Sequence, residues 1–108
     1  MSVRFETEGT TLVATLEGRL DTTNAPATEA ELLKRLGTGA VVLDLAGLSY
    51  ISSAGLRVVL VVAKRLKPTG RRFVLAGLQP HIREVFEVSG FLSILDVAAD
   101  RAEALARV

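Results

Sequence analysis

Two adjacent serines, Ser52 and Ser53, have the clearest potential for chemistry in this sequence. They follow an apolar stretch, Ala40 to Leu45, and open the longest apolar segment of helical spacing, Ser53 to Lys67. A hydroxyl at such a junction meets backbone N–H groups that lack intrahelical partners, at the positive end of the helix dipole. Three uses fit. A serine there can cap the helix, typically for about 1 kcal/mol. It can help hold an anion. It can also accept a phosphoryl group, adding about −1.5 to −2 of charge that the helix end tolerates and a docked partner does not. Ala54 and Gly55 keep the approach to the hydroxyls uncluttered.

Other chemistry is poorly supported. His81 is the single histidine and follows Pro80 at a helix start, which suits surface or capping duty better than catalysis. One histidine with scattered carboxylates and no cysteine makes no metal cluster. The Ser52-Ser-Ala-Gly55 run lacks the glycine pattern of a nucleophile elbow, and Gly77-Leu-Gln-Pro80 is not a phosphate loop. Asp44 lies inside a strand, where a structural hydrogen bond is the expected role. The expectation is therefore a binding protein and not an enzyme, with no cofactor and no metal.

At 108 residues and a net charge of +1, the composition fits one compact domain spanning residues 1–108. The absence of cysteine suits a reducing compartment. The amino terminus lacks a signal-type apolar core, and the run Val58 to Ala63 is too short to span a bilayer. A soluble, cytoplasmic protein without membrane insertion is expected. The local basic excess from Lys64 to Arg72 is broken by Pro68-Thr-Gly70 and reads as a solvated helix end and turn, not as a nucleic-acid site.

The elements that must position the serines follow from periodicity. Val3–Thr7 and Thr11–Glu17 alternate apolar with polar around Glu8-Gly-Thr10 and predict a β-hairpin or two neighbouring strands. Cap-type residues Thr22, Thr23 and Asn24 with Pro26 predict a helix beginning near Thr23 to Ala25 and stopping at Gly37-Thr-Gly39. Ala40–Leu45 reads as a central strand, followed by a loop that delivers the serines. Arg72–Ala76 is a further strand. A short helix then carries Ile82, Val85 and Phe86 inward and ends at a left-handed Gly90. Ser93–Val97 is the last expected strand, and Asp100 with Glu103 resembles a capping box for a final helix. The order β-β-α-β-α-β-α-β-α predicts an α/β fold with a mixed, largely parallel sheet, right-handed crossovers and about four flanking helices.

The helix after Ser53 carries apolar residues on two sides. Leu56, Val59, Leu60, Ala63 and Leu66 are expected to pack on the sheet. Ala54, Val58, Val61 and Val62 fall on another side, interrupted but not covered by Arg57, Lys64 and Arg65. Valine lowers helix propensity, so this second face points to a partner surface beside the serines. Weak homo-oligomerisation is also compatible with the sequence.

Three segments carry a family resemblance: Val41-Val-Leu-Asp-Leu45, Tyr50-Ile-Ser-Ser-Ala-Gly-Leu-Arg57, and Gly77-Leu-Gln-Pro80 through Phe86-Glu-Val-Ser-Gly90-Phe91. They resemble the STAS domain of anti-sigma factor antagonists, and Gly18-Arg-Leu-Asp21 matches that family's segment before its first helix. The resemblance covers essentially the whole chain. It implies a partner that is an anti-sigma factor, often itself a serine kinase, bound by the unphosphorylated antagonist in a partner-switching pathway that controls sigma-factor-dependent transcription. Phosphorylation of a serine at the start of the second helix turns binding off, and a serine phosphatase restores it. Aligned on Gly55 and Leu56, the acceptor falls on Ser53, while Ser52 stands where the family usually has an acidic residue and is the second choice. The implied docking surface comprises Asp21, Ser52, Ser53, Ala54, Gly55, Arg57, Val58 and Val61, with Asp21 at its rim or simply a turn residue. The alternative is a constitutive STAS subunit of a larger assembly, a lipid-transport complex or stress-sensing scaffold, without phosphorylation control.

Overall fold

The computed structural model describes residues 1–108. Its sheet has five strands in the spatial order β1-β2-β3-β4-β5, the same as their order along the chain. They are β1 (Ser2–Glu8), β2 (Thr11–Leu20), β3 (Val41–Ile51), β4 (Phe73–Ala76) and β5 (Asp96–Ala98). The helices are α1 (Ala25–Lys34), α2 (Ser53–Leu66), α3 (Pro80–Val88) and α4 (Arg101–Arg107). β1 and β2 form the antiparallel hairpin, with Phe5 opposite Ala14; β2, β3, β4 and β5 pair in parallel.

Sequential parallel strands joined by right-handed crossovers place every connecting helix on one side of the sheet. Residue alternation records this. Leu12, Ala14, Leu16, Val41, Leu43 and Leu75 point into the large core with the apolar residues of α1, α2 and α3. Their neighbours Val13, Val42, Val74 and Ala76 point the other way, into a small cluster closed by Ala104 of α4. Two registers of apolar residues offset by one position are what a sheet covered on both faces requires. The short α4 is fixed by Asp100, whose Oδ1 accepts from the Glu103 amide at 2.8 Å, and by an Arg101–Glu6 ion pair at 3.1 Å. Glu103 in turn accepts from the amide of Ala99, completing a variant of the expected capping box.

Three boundaries differ from those expected. β3 does not end near Leu45 but runs to Ile51, so that Ser52 alone separates strand from helix. Two register shifts against β2, between Thr15 and Glu17 and between Gly18 and Arg19, each give β3 one extra residue. They bring Leu45, Leu48 and Ile51 to the same buried face at a spacing of three, which hides the strand from a search for alternation. The last strand is displaced to Asp96–Ala98, and Phe91–Ser93 forms a single 3-10 turn instead. β2 likewise continues through the Gly18-Arg-Leu20 corner. As expected, Gly90 adopts the left-handed conformation after α3, at φ 79°.

Candidate functional site

The two serines divide their duties. Ser52 is the N-cap of α2: its backbone is extended and its Oγ accepts from the Gly55 amide at 3.3 Å. Its own amide donates to the carbonyl of Leu20 at 2.9 Å, which ties the helix start to the end of β2. Ser53 is the first residue of α2, exposed, with its hydroxyl bonded to no other residue. Of the three uses open to the pair, capping therefore belongs to Ser52, and an accessible hydroxyl at the positive helix end belongs to Ser53.

Gly55 makes this junction possible. A Cβ there would stand 2.8 Å from Cγ1 of Ile51 and 2.9 Å from both Cγ and the carbonyl oxygen of Leu20. The first turn of α2 is thus pressed directly against the ends of β2 and β3. Gly55 is itself buried and closely packed, and is not presented at the surface. The cap predicts a modest effect. Ser52→Ala is expected to lower the unfolding free energy by about 1 kcal/mol, whereas Ser52→Asp, another good cap, retains it. Urea denaturation of the two variants checks both outcomes, and equal loss in both would deny the cap its role.

The outer face of α2 differs from the expected one at three positions. Val58, assigned above to the open side, is only 2% exposed, and Val62 is buried with it. The reason is α1, which lies against α2 and covers that side. Leu60, expected to face the sheet, is instead half-buried at the surface. The open stripe therefore consists of Ser53, Arg57, Leu60 and Lys64, at helical spacing, flanked by half-buried Ala54 and Val61. Arg57 is exposed and pairs with no carboxylate.

Asp21 sits beside this stripe through its neighbour Leu20. Its Oδ1 accepts from the Thr23 amide and its own amide donates to Oδ1 of Asn24, both at 3.0 Å, so it shapes the turn into α1 while remaining half-exposed. Two further residues, not singled out from the sequence, stand near the ends of β2 and β3 that lead into α1 and α2. Tyr50 is 40% exposed, and the Arg19 guanidinium stacks over its ring at 4.1 Å from the centroid. A lone tyrosine two residues before Ser52 was the available signal; its exposure followed only from the register shifts in β3. The edge of β3 beyond its pairing with β4 is closed by side chains. Gln79 donates to the Ala46 carbonyl at 2.9 Å, and His81 meets the Ser49 carbonyl through Nε2 at 2.6 Å, which requires the proton on that nitrogen. His81 is thus a strand-edge pin. Asp44 accepts from the Ala46 amide at 3.1 Å, the structural bond expected of it. No group of three or more histidine or carboxylate side chains is arranged to hold a metal ion, and no helix is long and apolar enough to cross a membrane.

Residues 2–104 match the STAS domain family model. The chain belongs to the STAS family. Within it, the chain is 55% identical over 97 residues to BtrV of Bordetella bronchiseptica, a protein assigned as an anti-sigma factor antagonist, with 88% of this chain and 84% of that protein covered. The STAS fold is shared with a Thermotoga maritima protein assigned as an anti-sigma factor antagonist, at a TM-score of 0.92, with 17% identity and coverage of 98% and 93%. It is also shared with the Bacillus cell-fate determinant SpoIIAA in its phosphorylated form, at a TM-score of 0.73, with 25% identity and 98% of each chain covered. This STAS protein is accordingly a member of the anti-sigma factor antagonist family, whose proteins are regulators and not enzymes.

Proposed function

We propose that this STAS domain antagonises an anti-sigma factor of the serine-kinase type in a cytoplasmic partner-switching pathway, and that phosphorylation of Ser53 turns the interaction off. The observation that carries the reading is the division between the serines: the Ser52 hydroxyl is engaged by Gly55, and the Ser53 hydroxyl is exposed and unbonded. A kinase can reach Ser53 without dismantling the helix cap, whereas modification of Ser52 would sacrifice it. The family's acidic residue at the Ser52 position also becomes intelligible, since aspartate and serine are comparable N-caps. SpoIIAA, which shares the fold, exists in a phosphorylated form.

On this reading the docking surface is Ser53, Ala54, Arg57 and Val61 of α2, with Asp21 at the rim and Ser52 and Gly55 holding the helix start in place. Val58 is withdrawn from it because α1 covers that side. An anti-sigma factor docks on this amino-terminal part of the stripe, short of Leu60 and Lys64, and a serine phosphatase reverses the switch. The constitutive-subunit alternative receives less support, because the relative at 55% identity is assigned as an anti-sigma factor antagonist.

The test is to incubate the protein with ATP and a kinase-type anti-sigma factor and to locate the phosphate by peptide mass spectrometry. Modification of Ser53, abolished in Ser53→Ala and retained in Ser52→Ala, is expected. Modification confined to Ser52, or none with an active kinase, overturns the switch.

A further inference from the structure

A cleft of about 470 Å³ lies at the carboxyl end of α2, between that helix and the Ser93–Asp96 segment entering β5. Its walls are aliphatic and aromatic, from Leu60, Ala63, Phe73 and Leu95, and Ile94 stands at 68% exposure beside it. Its polar lining is unbalanced: four cations, Lys64, Lys67, Arg71 and Arg72, face one carboxylate, Asp96. This is the basic stretch that sequence alone reads as a solvated helix end.

The four cations are not equivalent. Arg71 is consumed by the fold, donating through Nε to the Gly39 carbonyl at 2.6 Å and through its guanidinium to the carbonyl of Leu36. Arg72 shares Asp96 at 4.0 Å, a loose and exposed pair. Lys64 and Lys67 have no carboxylate partner. An apolar cleft edged by uncompensated positive charge complements a segment that is apolar on one side and acidic on the other.

We propose that this cleft docks an acidic amphipathic segment of a second protein, independently of the state of Ser53. The volume falls within the roughly 300–1,000 Å³ of clefts that accept a compact ligand or a few anchoring side chains. Phe73 is the only aromatic ring in the lining and is half-buried, so the site offers little for stacking nucleic-acid bases. Its concave shape does not suit a bilayer surface, which calls for a protruding apolar face. Lys64 lies eleven residues along α2 from Ser53, roughly 16 Å by helical rise, about twice the screening length at physiological salt. A phosphate on Ser53 therefore exerts little force there.

The experiment uses the full chain and a short synthetic peptide with glutamates on one helical face and leucines on the other. The comparison probes are its lysine-for-glutamate counterpart, an oligodeoxythymidylate, phosphatidylserine vesicles and dodecanoate. Fluorescence anisotropy gives affinities, and amide chemical shifts give the location. The acidic peptide is expected to bind best, to move the amides of Leu60, Ala63 and Phe73, and to bind about tenfold more weakly to a Lys64→Glu, Lys67→Glu double variant. Ser53→Asp should bind it unchanged. The proposal is overturned by absence of shifts at the cleft, by equal binding of the basic peptide, by preference for the oligonucleotide, the vesicles or dodecanoate, or by loss of binding in Ser53→Asp.

Discussion

Ser53→Asp is expected to weaken association with the anti-sigma factor on the order of 10- to 100-fold, while Ser53→Ala binds like the unmodified protein. The asymmetry follows from where the side chain stands. Ser53 is exposed at the first position of α2, so a negative charge there is welcome to the isolated domain and should raise its stability by about 0.3–1 kcal/mol. Once a partner covers the stripe, that charge loses its water beside half-buried Ala54 and Val61, and Arg57 is the only nearby cation of the stripe to compensate it. The penalty falls on the complex and not on the fold. Calorimetric titration against a purified kinase-type anti-sigma factor, with thermal melts of each variant, separates the two effects. Equal affinities for the aspartate and alanine variants would sink the charge mechanism. A lowered melting temperature in Ser53→Asp would contradict the placement of this residue at a favourable helix end.

Gly55→Ala is expected to destabilise the protein by about 1–3 kcal/mol, against the roughly 1 kcal/mol that alanine ordinarily gains over glycine inside a helix. The added methyl would meet Ile51 and Leu20 at 2.8–2.9 Å, and one of those atoms is a backbone carbonyl oxygen that cannot rotate away. Relief requires α2 to lift from the sheet, stretching the 2.9 Å bond from the Ser52 amide to Leu20. Chemical denaturation measures the loss, and weakened partner binding in the surviving folded fraction would report the displaced helix start. A variant as stable as the parent would mean that the junction is looser than its geometry implies.

Much of this was legible in the sequence because the signals were local. The order of strands and helices, the Asp100 cap, the left-handed Gly90 and the apolar side of α3 each rest on a few neighbouring residues. The junction at the candidate site was legible in outline for the same reason: a strand, a pair of hydroxyls and a helix leave a recognisable run. What remained hidden depended on distant chain. Val58 and Leu60 exchange their expected environments because α1 lies on one side of α2 and not the other, and periodicity within α2 carries no record of that choice. The extension of β3 to Ile51 was masked by its two extra residues, which replace alternation with a spacing of three. The stacking of Arg19 on Tyr50 likewise follows from their pairing across that irregular ladder.

The bond between the Ser52 amide and the Leu20 carbonyl has a consequence for how fast and how cleanly a partner can bind. With no loop between β3 and α2, the proposed docking residues are held by the sheet before any encounter, so little conformational entropy would be lost on covering them. Association with such a surface resembles rigid-body docking, in which affinity changes act mostly on the rate of departure. A switch built there has no hinge to throw. On the proposed reading, the modified and unmodified proteins share one backbone, and the message is carried by charge alone.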